Sequence, residues 1–167
     1  MTMRISVLSS IIFIFCSMLF TCPDHANSGC RTEPSFSTGD LVYCPVYPSI
    51  YHMGQKKGLD LTVTLSIHNI SPDTSIKVES VDYYSKKGKL LGKMLENPVK
   101  LSPLETATFV LNPKEHQGGV GANCLVRWKA DRPVSRPLIQ AVMITTSGSQ
   151  GISFITDGVP VRSMGKE

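Results

Sequence analysis

The sequence predicts an all-β protein, most simply an antiparallel β-sandwich of the immunoglobulin-like kind. Apolar and polar residues alternate along several short segments, as they do in strands that bury one face. Clusters of Gly, Pro and Asn separate these segments at intervals of roughly 10–15 residues, a spacing typical of antiparallel folds. No stretch keeps a helical period over about three turns. A small closed β-barrel is the alternative architecture.

The first 28 residues are predicted to be an export signal, which would place the mature protein in the periplasm or outside the cell. Arg4 precedes an apolar run over residues 5–20, and Ala26 and Ser28 fit the small-x-small pattern of a cleavage site. Two alternatives stay open. Cys22 could carry a lipid, as in bacterial lipoproteins. The segment could also be retained as an anchor, although its run of about 16 apolar residues is shorter than the ~20 that a spanning helix needs.

The remaining chain is predicted to form one domain. Residues 29–40 are polar and indicate a flexible arm, residues 41–162 form the β-sandwich, and residues 163–167 are a C-terminal tail. The 17 basic and 13 acidic residues leave a net charge of +4. Because the Lys residues are scattered, with no long basic run and no interleaved aromatics, the sequence does not support nucleic-acid binding.

The first predicted strand covers residues 41–47. Pro45 has no N–H to donate, so this strand is expected at a sheet edge or beside a bulge. Its alternation sends Val42, Cys44 and Val46 toward the core, and Leu41, Tyr43 and Tyr47 toward the opposite face.

The same pattern predicts further strands. Residues 59–67 show the strictest alternation in the chain. Residues 76–84 change phase midway, which predicts a β-bulge near Glu79. A hairpin tip follows, where Gly88 is suited to positive φ, and residues 104–111 resume the alternation.

The stretch over residues 118–144 is predicted to be the hub of the fold. Its glycine cluster precedes a strand and lacks the Lys-Ser/Thr of a phosphate loop, so the glycines are expected to shape a turn. Residues 138–146 are apolar on both faces, as expected of a central strand. Between them lies a strand that sends Cys124, Val126 and Trp128 inward and Leu125, Arg127, Lys129 and Asp131 outward.

Ordered motifs run through nearly all of the mature chain. They include Val42-Tyr43-x-Pro45-Val46-Tyr47, Thr64-Leu65-Ser66-Ile67-x-Asn69, Val81-Asp82-Tyr83-Tyr84, Gly118-Gly119-x-Gly121-Ala122-Asn123 and Gly151-Ile152-Ser153-Phe154. In these motifs the chain resembles the uncharacterised bacterial family catalogued as domain of unknown function 3124. The resemblance implies a bacterial exported protein and supplies no activity. At Cys44 and Cys124 the sequence departs from the residues usual in that family.

Cys44 and Cys124 are predicted to form a disulfide across the core. Both occupy inward positions on separate strands, and an exported protein folds in an oxidising compartment. The closed loop of about 80 residues would contribute roughly 3–5 kcal/mol of stability. Two separate buried thiols are the alternative, and Cys30 could pair with Cys44 or stay free.

Little in the sequence points to catalysis. It contains no Gly-x-Ser-x-Gly elbow, and a Cys124 thiol that faces the core would be inert. Histidine and methionine are ligands of exported copper proteins. A periplasmic copper-binding protein that uses His52, Met53 and His116 is therefore the alternative function, although these residues lack a recognisable ligand spacing. No cofactor is predicted.

The leading hypothesis is a non-catalytic exported protein that binds another cell-envelope component, either a protein or a glycan. Amphipathic aromatic side chains are common at binding surfaces, and three Tyr residues lie close together near the start of the domain. Two polar residues on the hub strand are expected to face away from the core. The candidate binding residues are therefore Tyr43, Tyr47, Tyr51, His52, Asn123 and Arg127.

Overall fold

The computed structural model describes residues 35–51, 58–111, 118–147 and 150–164. Within these residues the chain forms strands and no α-helix. In chain order the strands are β1 (Phe36–Val46), β2 (Ser49–Tyr51), β3 (Gly58–Asp60), β4 (Thr62–His68), β5 (Ile76–Tyr84), β6 (Leu90–Lys93), β7 (Val99–Leu101), β8 (Thr106–Leu111), β9 (Ala122–Ser135), β10 (Leu138–Ser147), β11 (Gln150–Asp157) and β12 (Val159–Ser163).

Two antiparallel sheets pack face to face. The six-stranded sheet has the order β12-β1-β9-β5-β6, with β7 also paired to β5. The four-stranded sheet has the order β11-β10-β4-β8, and β2 and β3 form a small separate pair. In the part of the chain that is described, no sheet closes on itself. The predicted sandwich is therefore confirmed, and the closed barrel was wrong.

The core lies between the two sheets because each sheet turns one apolar set inward. Val63, Leu65 and Ile67 on β4 have no exposed surface, which confirms the alternation predicted there. Val126 and Trp128 on β9 face them from the other sheet and are equally buried. Each such side chain contributes roughly 1.5–3 kcal/mol by leaving water. β9 lies between β1 and β5, as the hub strand should.

The structure confirms the β-bulge predicted near Glu79. The register between β5 and β9 shifts between Val78 and Ser80. In a regular strand, residues three positions apart point to opposite faces. Because the bulge adds one residue to β5, Val78 and Val81 both face the core. The hairpin that follows is also confirmed, with Gly88 at φ 75°.

Two boundaries differ from the prediction. The arm over residues 29–40 was wrong at its C-terminal end, because β1 already begins at Phe36. A polar residue can enter the sheet here because the fully buried Asp40 has a cationic partner, Arg136, whose Nε lies 2.8 Å from Oδ2. At the other end β12 includes Ser163, the first residue of the predicted tail.

The edge position predicted for the strand that contains Pro45 was wrong for β1 as a whole and holds only locally, at Pro45 itself. β1 is an interior strand, yet β12 pairs with it only as far as Tyr43, and the register shifts between Leu41 and Val42. Pro45 therefore lies beyond the part that β12 covers. Its carbonyl accepts a hydrogen bond from Thr156 Oγ1 of β11 at 2.6 Å, which ties the two sheets together.

The last strand, β12, forms one edge of the six-stranded sheet and pairs only with β1 among the described strands. All five of its residues are exposed. Pro160 stands opposite Val42 and leaves the strand without an N–H at its middle. Gly158 alone links β11 to β12, and its N–H donates to the carbonyl of Ile139 at 2.8 Å.

The predicted export segment, residues 1–28, lies outside the described residues, so export, lipidation of Cys22 and the pairing of Cys30 stay predictions. Among the residues that are described, no helix is long and apolar enough to cross a bilayer.

Candidate functional site

The outer surface of the six-stranded sheet is the candidate site, and we call it the six-strand face. Its middle is a stripe of side chains on β9 that alternate with buried residues, as the sequence predicted. At about 3.4 Å per residue the stripe is about 27 Å long. Its members are Asn123, Leu125, Arg127, Lys129 and Asp131.

Strands β1 and β5 place aromatic side chains beside this stripe. Tyr43 of β1 lies opposite Leu125 and is 36% exposed. Tyr84 of β5 lies opposite Asn123 on the other side. The structure thus brings together three of the predicted binding residues, Tyr43, Asn123 and Arg127, on one solvent-facing surface.

Further along the same face, three lysines lie side by side on three adjacent strands. Lys77 of β5 lies directly opposite Lys100 of β7 and opposite Lys129 of β9. Lys129 Nζ is paired with Glu79 at 2.5 Å. No carboxylate among the described residues lies within ion-pair distance of Lys77 or Lys100. We call this group the lysine row; with Asp131 it lines a shallow cavity of about 250 Å³.

The other predicted binding residues do not join the face. Tyr47 was predicted to point outward with Tyr43, but the chain leaves β1 at Val46 and Tyr47 packs against the core. Its ring centroid lies 5.9 Å from that of Phe154, on the four-stranded sheet. Tyr51 is 61% exposed on β2, outside the six-stranded sheet.

The copper alternative falls on residues that the structure does not describe, namely His52, Met53 and His116. It stays a prediction, as does a binding role for His52. Within the described residues, no group of three or more His, Cys, Asp or Glu side chains could hold a metal ion.

The structure contradicts the predicted disulfide, because Cys44 and Cys124 are free thiols. They are nevertheless direct cross-strand neighbours. The Pro45 carbonyl points away from β9 toward Thr156, so Pro45 and Asn123 form a non-hydrogen-bonded pair and the two cysteines form a hydrogen-bonded one. The Cα atoms of such a pair lie about 5.5 Å apart, which a disulfide can span, yet the two thiols are not bonded to each other.

Burial also makes both thiols unreactive. It raises the pKa of Cys44 to about 11, although a hydrogen bond with Thr156 acts in the opposite direction. Burial and the neighbouring Cys44 raise the pKa of Cys124 to about 12. Since the thiolate is the nucleophile, the cysteines act as small apolar side chains at neutral pH.

The glycine cluster before β9 shapes the backbone, as predicted. Gly119 and Gly121 have φ of 68° and 90°, which favour glycine. Gly118 lies against Tyr83, where any side chain would collide with the phenolic hydroxyl. These glycines form the turn that leads into β9.

The fold and this face define an all-β sandwich with a polar, aromatic and basic sheet surface and two unreactive core cysteines. The chain belongs to the family described as Protein of unknown function (DUF3124), whose model matches residues 39–161. No curated protein matches the chain. It is similar to the crystal structure of Thermotoga maritima 1070, at 16% identity and a TM-score of 0.43, over 74% of this chain and 96% of that one.

Proposed function

We propose that the protein is a non-catalytic exported binding module of the cell envelope, which holds a protein or glycan partner on the six-strand face. The observation that carries this proposal is the grouping of Tyr43, Asn123 and Arg127 on adjacent, solvent-facing strands. Tyr and Arg are enriched among the residues that dominate binding energies, and an amide supplies both a donor and an acceptor.

The scaffold suits a partner that lies along the sheet. β9 is held on both sides by β1 and β5, so its outward side chains project from a rigid surface. A stripe of about 27 Å matches an extended peptide of about eight residues, or several consecutive sugar units. Groups that are fixed before binding lose little entropy when a partner arrives.

Photo-crosslinking in the exporting host tests the proposal. A photoreactive phenylalanine analogue in place of Tyr43 is expected to give a specific adduct with one envelope protein or glycan. The same analogue in place of Glu96, which is exposed in the loop between β6 and β7, is expected to give none. Identical adducts from both positions, or none from Tyr43, would count against the proposal.

Affinity for the captured partner supplies the second measurement. Arg127→Ala is expected to weaken binding at least tenfold, or about 1.4 kcal/mol. Lys87→Ala removes a positive charge from the exposed hairpin tip and serves as the matched control. Equal losses in the two variants would point to general electrostatic attraction instead of recognition at this face.

A further inference from the structure

We propose that the lysine row, together with Asp131, binds an acidic sugar, that is, a sugar unit bearing a carboxylate or phosphate group. The inference deepens the proposed function by naming the ligand class for the six-strand face. It rests on that function only in taking the sugar to be part of the envelope partner.

The first observation is that the lysine row opposes like charges within the fold itself. Lys77 faces Lys100 on one side and Lys129 on the other, across strands about 4.8 Å apart. Like charges directly opposite each other on a sheet are destabilising. Among the described residues, Lys129 is the one lysine of the row that forms an ion pair, with Glu79. An anion placed between Lys77 and Lys100 would remove this repulsion.

The second observation is the shape of the surface around the lysines. Their stems and backbone, with those of neighbouring residues, enclose a cavity of about 250 Å³ that opens to solvent. This volume is slightly below that of sites for drug-sized ligands, about 300–1,000 Å³. The cavity therefore suits a single small unit of a larger molecule.

Asp131 decides which kind of anion fits best. Its side chain lines the same cavity as the lysines, and a carboxylate accepts hydrogen bonds without donating any. Sugar hydroxyls donate such bonds, while the acidic group of the same sugar can meet the ammonium groups. An acidic peptide carries carboxylates but lacks that series of hydroxyls, so Asp131 would repel it.

A membrane surface fits this site less well. Binding to a bilayer interface requires apolar side chains that insert beside the basic residues. The apolar residues at the cavity are Ala130 and Ile76, and Ile76 is only 1% exposed.

The row also continues the β9 stripe. Lys129 follows Arg127 by two residues on the same face, about 7 Å further along the strand. Two adjacent basic positions suit a polymer in which acidic groups recur, so the lysine row would take one sugar and Arg127 could reach the next. This arrangement joins the new site to the aromatic and amide groups described above.

Binding of defined small probes to the purified protein, expressed from the full-length coding sequence, tests the inference. Glucuronate and glucose 1-phosphate are expected to bind at low ionic strength, with shifts of backbone amide signals at Lys77, Lys100 and Lys129, whereas glucose is not. Lys77→Gln with Lys100→Gln is expected to weaken glucuronate binding at least tenfold. Because both lysines are exposed and oppose like charges, this variant should fold as well as the wild type, which thermal unfolding would check.

Two matched variants sharpen the result. Lys86→Gln with Lys87→Gln removes the same charge from the hairpin tip and should change glucuronate affinity less than twofold. Asp131→Asn should weaken glucuronate binding several-fold and leave binding of inorganic phosphate equal or tighter. The second variant separates sugar recognition from simple attraction of anions.

Several outcomes would overturn the inference. These are no binding of either acidic sugar, equal losses in the two lysine variants, or binding of glucose as tight as that of glucuronate. A tetra-aspartate peptide or vesicles containing phosphatidylglycerol could instead bind through the lysine row while glucuronate does not. In that case the acidic sugar is the wrong ligand, and the one that binds takes its place. Because these titrations need no partner, failure of the Tyr43 crosslinking alone would refute the proposed function and leave the sugar site intact.

Discussion

At the scale of single residues, buried polar side chains stand where the backbone offers them partners. Asn69 is 1% exposed, and its amide nitrogen donates to the carbonyls of Thr74 and Ser102, each at 2.8 Å. Its side-chain oxygen accepts from the N–H of Ser71 at 3.1 Å. One amide thus fastens the turn after β4 to the end of β7. Such groups are costly to bury without partners, so Asn69 is structural.

The two core thiols make stability depend on alkaline pH. Their pKa values rise from the ordinary 9.0 to about 11 for Cys44 and about 12 for Cys124. Above pH 9 the unfolded chain therefore releases two protons that the folded chain keeps, and each thiol lowers the free energy of unfolding by about 1.4 kcal/mol per pH unit until its folded pKa is reached. Their contribution is fully present below pH 9 and is lost as the pH rises through about 11 to 12.

Urea unfolding at pH 7, 9 and 10.5 measures this effect. The variant Cys44→Ala with Cys124→Ala is expected to be less stable at pH 7 because of its smaller core side chains. Its stability should fall less steeply than that of the wild type between pH 9 and 10.5. Because the variant differs from the wild type only at these two thiols, parallel pH curves would contradict the assignment to the thiols.

At the scale of strands, the passage from one sheet to the other at Gly158 leaves no room for a side chain. A Cβ there would lie within 3.2 Å of Ile139 and closer still to Val42. Gly158→Ala is therefore expected to destabilise the fold by about 1–3 kcal/mol through overpacking. Gly92→Ala on β6 is the control, because a Cβ there meets nothing within 4 Å. Thermal or urea unfolding of both variants checks this, and equal effects would contradict it.

Elements set by local pattern were predictable, whereas contacts set by strand register were not. The alternation over residues 59–67 and the phase change at Glu79 are visible in neighbouring residues, so β4 and the bulge followed from the sequence. The orientation of Tyr47 depends on a bend at the end of β1, which overrides the alternation. Cys44 and Cys124 face each other because two strands 80 residues apart in the chain pair with one another. The sequence showed that both side chains point inward, but not how far apart they lie.

The residues of the candidate site were likewise predictable only where the signal was local to one strand. Tyr43 and Arg127 were predictable because each alternates with core residues on its own strand. The lysine row was missed because its members lie on three strands. Its only local signal was the outward phase of Lys77 and Lys129, and nothing in the sequence placed Lys100 opposite Lys77.

At the scale of the whole molecule, the two outer sheet surfaces differ in charge. The outward residues of β4, β8 and β10 are Thr, Ser, Val, Ile, Leu, Gln and His, and among the described outward residues of β11 the one charged side chain is Asp157, which accepts a hydrogen bond from Gln140. The six-strand face, in contrast, carries Arg127 and the lysine row. Such asymmetry orients an approaching anionic partner toward one side of the molecule.

The ion pair between Asp40 and Arg136 ties the two sheets at the chain crossing from β9 to β10. Asp40 is fully buried on β1, while the Arg136 side chain is 32% exposed. Arg136→Ala leaves that carboxylate without its cation, and we expect a loss of about 2–4 kcal/mol, below the full cost of a wholly buried pair. Arg132→Ala is the control, because its pair with Asp73 is exposed on both sides. Urea unfolding compares them, and a nearly unchanged Arg136→Ala protein would refute the assignment.

The proline in the middle of β12 bears on how this protein behaves when it is crowded. An exposed edge strand with Val159 and Val161 is a template on which another chain could add a strand, and repeated addition leads to fibrils. Pro160 interrupts the row of donors that such growth requires. β12 therefore closes this edge of the sheet, and the six-strand face stays exposed on a molecule that does not polymerise through β12.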